Sequence, residues 1–81
     1  MEQAFIGSIV LAGLNFAPTG WALCEGQIMP INQNQALFAL IGTTYGGDGR
    51  TTFALPKLNG SALQQGLNYI ICLYGVFPSR Q

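Results

Sequence analysis

An α+β fold, mostly β, with one short helix is what this chain predicts, and three observations predict it. Short runs rich in Ile, Val, Leu, Phe and Tyr are separated by turn residues, with 11 glycines and 4 prolines spread over 81 positions; this is the punctuation of short strands. One apolar run, Ala36 to Ile41, carries no such punctuation and follows a helix-start signal. Hydrophobic residues make up 49% of the chain and charged ones 7%, so the elements have much apolar surface to cover. Glycine and proline recur along the whole length, no repeat is visible, and residues 1–81 read as a single small domain.

The elements follow in order. Phe5 to Leu11 contains the β-branched Ile9 and Val10 and is followed by Gly13, which reads as a first strand. Asn15 to Gly20 is a loop punctuated by Pro18 and Gly20. Trp21 to Cys24 is a short strand, and Glu25-Gly26 a tight turn in which Gly26 supplies a positive φ. Gln27 to Ile31 then returns as the second arm of a hairpin, with Pro30 placing it at an edge.

Asn32 can cap a helix and Gln35 stands three residues on, the spacing of a capping box. Gln33 to Ile41 is then helical, and Gly42 stops it. Because Ala36 to Ile41 are all apolar, the helix is expected to be buried, Leu37 and Phe38 included. Thr43 to Thr52 is a long glycine-rich loop, and Phe53 to Leu58 an extended piece broken by Pro56. Asn59-Gly60 is a turn and Ser61 to Gly66 a polar connector. Leu67 to Tyr74 is the strongest strand candidate; Gly75 ends it and Phe77 to Gln81 form a tail. Apolar residues fall on both faces of that strand, so both faces should be covered, one by the helix and the other by a second molecule. Trp21, Phe38, Phe53 and Tyr69 each lie in an apolar run and are expected in the core.

Composition excludes several functions. The six charges are Glu2, Glu25, Asp48, Arg50, Lys57 and Arg80, and the net charge is zero. Nucleic-acid binding through counterion release needs clustered Lys and Arg, which are absent from the sequence. The apolar stretch Leu67 to Phe77 is shorter than the roughly 20 residues of a membrane span. Phe5 to Leu14 resembles a signal-peptide core, yet Glu2 precedes it where a basic residue belongs and no small-x-small cleavage site follows, so it reads as mature structure. An ordinary soluble domain is about 25% charged, and a chain this short buries only about 60% of its unfolded surface. The apolar surface left over invites a partner; the alternative is a monomer kept soluble by its amides and hydroxyls.

Catalytic chemistry has little to work with. The chain has no His, so neither a Ser-His-Asp nor a Cys-His arrangement can form. Three isolated acidic residues make no obvious carboxylate pair, and two separated Cys do not make a zinc site. No catalytic, cofactor-binding or metal-ligating residue is therefore assigned, and the chain is not read as an enzyme. The loop Gly46, Gly47, Asp48, Gly49, Arg50 has two readings. Its backbone N–H groups and Arg50 could bind an anion or a sugar, although the Lys and Ser/Thr of a phosphate loop are missing. Alternatively, the glycines let the chain turn tightly while Asp48 and Arg50 pair or cap the loop. Cys24 and Cys72 each lie in an expected strand, either bridged by a disulfide or buried as free thiols.

One series of residues carries a resemblance. It runs Ala17-Pro18-Thr19-Gly20-Trp21-Ala22-Leu23-Cys24-Glu25-Gly26-Gln27, then Pro30-Ile31 and Asn34-Gln35-Ala36-Leu37-Phe38, and then Leu40-Ile41-Gly42-Thr43-Thr44-Tyr45-Gly46-Gly47-Asp48-Gly49-Arg50-Thr51-Thr52-Phe53-Ala54-Leu55-Pro56. This resembles the phage tail-collar domain, also found in bacterial proteins labelled microcystin-dependent, over about residues 7–60. The close, Asn68-Tyr69-Ile70-Ile71 with Gly75 to Arg80, is similar to the end of those proteins. Longer relatives carry a variable glycine-rich region between the two parts, where this chain has only Ser61 to Gly66. Cys72 and Tyr74 stand where polar, non-cysteine residues are usual in that family. The resemblance implies a structural component of a phage tail or tail-like particle near the fibre or tail tip, made in the bacterial cytoplasm without a signal peptide and found outside the cell after release. It implies a homotrimer or another homo-oligomer among tail or baseplate proteins. The runner-up is a small carbohydrate- or receptor-binding module that engages a cell-surface glycan.

Overall fold

The computed structural model describes residues 4–60 and 66–78. Five short strands and one helix are arranged as two small antiparallel sheets. The strands are β1 (Ile9–Ala12), β2 (Trp21–Leu23), β3 (Ile28–Pro30), β4 (Thr52–Ala54) and β5 (Asn68–Cys72), and the helix is α1 (Gln35–Ile41). The fold is thus mostly β with one short helix, as the sequence predicts.

The closing strand is the centre of the larger sheet, whose order is β1-β5-β2. Ile9 pairs with Ile71 and Ala12 with Asn68 on one side of β5; Trp21 pairs with Cys72 and Leu23 with Ile70 on the other. A bulge precedes β1. Gly7 N–H donates to the Cys72 carbonyl while Cys72 N–H donates to the Ser8 carbonyl, so two residues oppose one. Gly7 sits at φ 89°, a conformation that glycine adopts without a Cβ penalty.

The expected hairpin across Glu25-Gly26 does not form. Gly26 does turn the chain, with φ 77°, but β2 and β3 part company there. β2 pairs with β5, and β3 pairs with β4 through Ile28–Ala54, Met29–Phe53 and Pro30–Thr52. The physical reason is packing: β5 has apolar residues on both faces and takes a strand on each side, which leaves β3 to find the segment after the glycine loop. The first strand is also shorter than expected, because Phe5 to Ser8 form a turn closed by Ser8 N–H to the Phe5 carbonyl at 3.0 Å.

The helix starts later than expected. Ile31–Gln33 form a single 3₁₀ turn, and α1 begins at Gln35 with Asn34, not Asn32, at its N-cap. The Asn34 side chain makes no cap hydrogen bond; its Nδ2 donates backwards to the Pro30 carbonyl at 2.9 Å. The capping box is therefore absent. Gly42 ends the helix at φ 57°, with its N–H on the Phe38 carbonyl. The helix is not buried all round either: Leu37 alone is buried, Phe38 and Ile41 are half-buried, and Ala36, Ala39 and Leu40 face solvent. Two turns of helix turn one face to the core, with Leu37 buried and Phe38 and Ile41 packed beside it.

The core gathers Ile6, Cys24, Leu37, Phe53, Leu55 and Ile71, with Met29, Phe38 and Tyr69 packed against it. Phe38 and Phe53 meet at a ring-centroid distance of 5.5 Å and a tilt of 57°, a favourable aromatic geometry. Phe53 is the fully buried member of the four aromatics expected inside; Trp21, Phe38 and Tyr69 are half-buried. Ile70, Ile71 and Cys72 are buried in succession, so both faces of β5 are indeed covered. The cover is intramolecular, contrary to the expectation that a second molecule supplies it. Val10 and Leu23 flank Ile70 on the face away from the core, and Asn68 Nδ2 ties the Leu14 carbonyl over that face at 2.8 Å. The connector Ser61 to Gln65 and the last residues, Ser79 to Gln81, lie outside the described residues.

Candidate functional site

The glycine loop follows directly from the end of α1. Gly46, Gly47 and Gly49 all have positive φ, at 136°, 95° and 78°. Gly46 accepts a hydrogen bond from Ala54 N–H at 3.1 Å, which lays the loop along the free side of β4. Gly47 has no room for a side chain: a Cβ would stand 2.7 Å from both Phe53 N and the Thr52 carbonyl.

Asp48 organises what remains. Its Oδ1 accepts from the N–H groups of Arg50 at 2.8 Å, Thr51 at 2.9 Å and Thr52 at 3.0 Å. Its Oδ2 accepts from Thr51 Oγ1 at 3.1 Å, and its own N–H donates to Thr52 Oγ1 at 3.1 Å. Gly49 N–H closes the turn on the Thr52 carbonyl at 2.9 Å. The carboxyl is held well below the usual carboxylate range, first by the Thr51 N–H and then by those of Arg50 and Thr52. Three successive N–H groups that could cradle an external anion already hold the protein's own carboxylate. Asp48 meets Arg50 through the Arg50 backbone, and the loop is a self-satisfied cap.

The Arg50 side chain is left facing an open cleft of about 430 Å³, lined also by Pro30, Ile31, Asn32, Gln35 and Thr51. Sequence reasoning singled out Arg50 but not Asn32 or Gln35 as its neighbours, since their spacing read as a helix start. A second cleft of about 290 Å³ lies between Ile6, Asn34 and Tyr74.

The two cysteines are not brought together. Trp21 pairs with Cys72, whereas Cys24 N–H donates to the Tyr69 carbonyl, three residues along β5. That separation is about 10 Å along a strand, beyond the reach of about 7 Å between Cα atoms that a disulfide allows. Both thiols are free and buried, and burial pushes Cys24 up to about 11 and raises Cys72 as well. Neither is a ready nucleophile.

Several large apolar side chains remain exposed. Phe5 and Val76, joined by an isolated bridge, are 57% and 41% exposed, and Leu11 on β1 is 47% exposed. Among the described residues no three Cys, Asp or Glu gather as metal ligands, and no helix is long and apolar enough to cross a membrane.

The described residues form a small mostly-β scaffold with a self-capped loop and exposed apolar side chains. The family model described as Phage Tail Collar Domain matches residues 7–63, and the chain belongs to that family, a structural domain class of phage tails. The match includes the glycine loop, α1 and the first four strands. No curated protein and no solved structure matches the chain.

Proposed function

We propose that the chain is a structural subunit of a phage tail or tail-like particle, placed in the collar of a tail fibre or at the tail tip. The family match over residues 7–63 carries this reading. The many large apolar side chains left exposed on a chain with 7% charged residues support it, because burying them against neighbours is favourable. Those neighbours are copies of the same chain, a trimer by family resemblance, together with other tail or baseplate proteins. Its setting is then the virion or particle, outside the cell after release. Particles produced without this chain should lack or misassemble the fibre or tip in electron micrographs, and normal, infectious particles would count against the proposal.

A second reading is host attachment through a surface glycan, favoured by the Arg50 cleft. Asn32, Gln35 and Thr51 there provide neutral hydrogen-bonding groups beside one guanidinium, a set suited to an acidic sugar. A glycan array gives positives that Arg50→Ala removes if this reading holds, and gives none if the domain is scaffold alone.

A further inference from the structure

Asn59 is the chain's one asparagine followed by a glycine. In such a pair the glycine main-chain nitrogen can attack the asparagine side-chain amide, because no Cβ shields it. Gly60 is exposed, and a Cβ built on it would meet nothing within 4 Å. Its N–H donates to no group among the described residues. The nucleophile is therefore open to solvent and has no hydrogen bond to give up.

The electrophile is not free. The Asn59 amide spans both main-chain groups of Tyr69: Nδ2 donates to the carbonyl and Oδ1 accepts from the N–H. Asn59 is half-buried, and its own N–H donates to the Cys24 carbonyl, which fixes the main chain as well. Attack turns the planar amide carbon tetrahedral, whereas the two bonds to Tyr69 fit the planar amide and hold it in one rotamer. Reaction at Asn59 must wait until this bracket opens.

We propose that Asn59 is a modification site gated by the start of β5: it deamidates when the closing strand is undocked, and the product keeps the strand from docking again. The deprotonated Gly60 nitrogen bonds to Asn59 Cγ, the Cγ–Nδ2 bond breaks, and ammonia leaves a five-membered succinimide. Water then opens either ring C–N bond, giving aspartate or an isoaspartyl linkage at this position. In sum, an amide and water become a carboxylate and ammonium, with no oxidant or reductant. A carboxylate has acceptors and no donor. It would face the Tyr69 carbonyl, another acceptor, and bring a charge to a chain whose net charge is zero. The isoaspartyl form adds a methylene to the main chain and shortens the side chain that made the bracket. Neither product rebuilds it. Closed chains keep their amide, and chains left open lose the ability to close. The site is independent of whether the chain sits in a virion.

Peptide mass spectrometry of the whole chain, incubated in mildly alkaline buffer with increasing guanidinium chloride, tests it, with amide exchange at Tyr69 followed in parallel samples. The native chain should deamidate at Asn59 at least about tenfold more slowly than the unfolded one. The rate should climb with denaturant together with Tyr69 exchange, since both need the same opening. Gly60→Ala, whose Cβ has open space, should keep the fold and slow the reaction sharply in both states. Asn59→Asp, which imitates one product, should unfold at lower denaturant than the wild type and leave the Tyr69 amide open to exchange. Equal rates in native and unfolded chains, no reaction in either, modification that maps to another asparagine, or a rate unrelated to Tyr69 exchange overturns the gate. An Asn59→Asp chain as stable as the wild type, with Tyr69 still protected, overturns the one-way step.

Discussion

The side chain of Asn59 holds Tyr69 as a neighbouring strand would. Its Nδ2 donates to the Tyr69 carbonyl at 3.0 Å, and its Oδ1 accepts from the Tyr69 N–H at 2.6 Å. The Tyr69 carbonyl also accepts from Cys24 N–H, and Asn59 N–H in turn donates to the Cys24 carbonyl. One amide thus fastens the end of the family-matched segment to the closing strand. Asn59→Ala leaves the Tyr69 N–H without its partner and should cost about 1–3 kcal/mol in urea unfolding. A change within about 0.5 kcal/mol, normal for a surface substitution, would show that the bracket is dispensable.

Leu37 is the one buried residue of α1, fully inaccessible and in the core. Leu37→Ala should cost about 2–5 kcal/mol, whereas Leu40→Ala, at a position 39% exposed, should cost well under half as much. Equal losses would contradict the burial of only one face of the helix.

Gly47 combines a φ of 95° with backbone atoms of Thr52 and Phe53 where a Cβ would stand. Gly47→Ala should lower stability by at least about 1–3 kcal/mol, the scale of a strained backbone position. Gly60→Ala meets nothing within 4 Å and serves as the control. Similar melting temperatures for the two variants would refute the close approach.

The loop and the closing strand show how far the sequence reaches. The glycines of 46–49 announced positive φ because few other residues adopt it, and the β-branched run Ile70-Ile71 announced a strand buried on both faces. Pairing partners were not legible in the same way. Gly26 signalled a turn, but a turn residue does not say whether its flanking strands pair with each other, and here β5 and β4 compete successfully for them. The apolar run Ala36 to Ile41 has no polar position to mark its outer face, so burial all round and burial of Leu37 alone look the same from sequence. Arg50 stood out by its charge; Asn32 and Gln35, which share its cleft, came together only through the fold.

Asp48 gives a dependence on pH. Its folded-state carboxyl is lowered by three N–H groups, so the stability it contributes is complete above the unfolded carboxyl value of about 3.9 and is lost as pH falls through the folded value. Asp48→Ala should therefore be less stable than the wild type by a constant margin from about pH 5 to pH 8, and the margin should shrink steadily below about pH 4. Urea midpoints of both proteins across that range measure it, and a margin independent of pH down to pH 2 would mean that the carboxylate does not cap the loop.

The central claim, that this collar-family chain is a built-in part of a tail particle, is tested most directly by quantitative mass spectrometry of gradient-purified particles. The account predicts this chain in every particle preparation, at a fixed copy number relative to the tail proteins and resistant to a high-salt wash. Its presence only in the soluble, unassembled fraction of the lysate would contradict the claim.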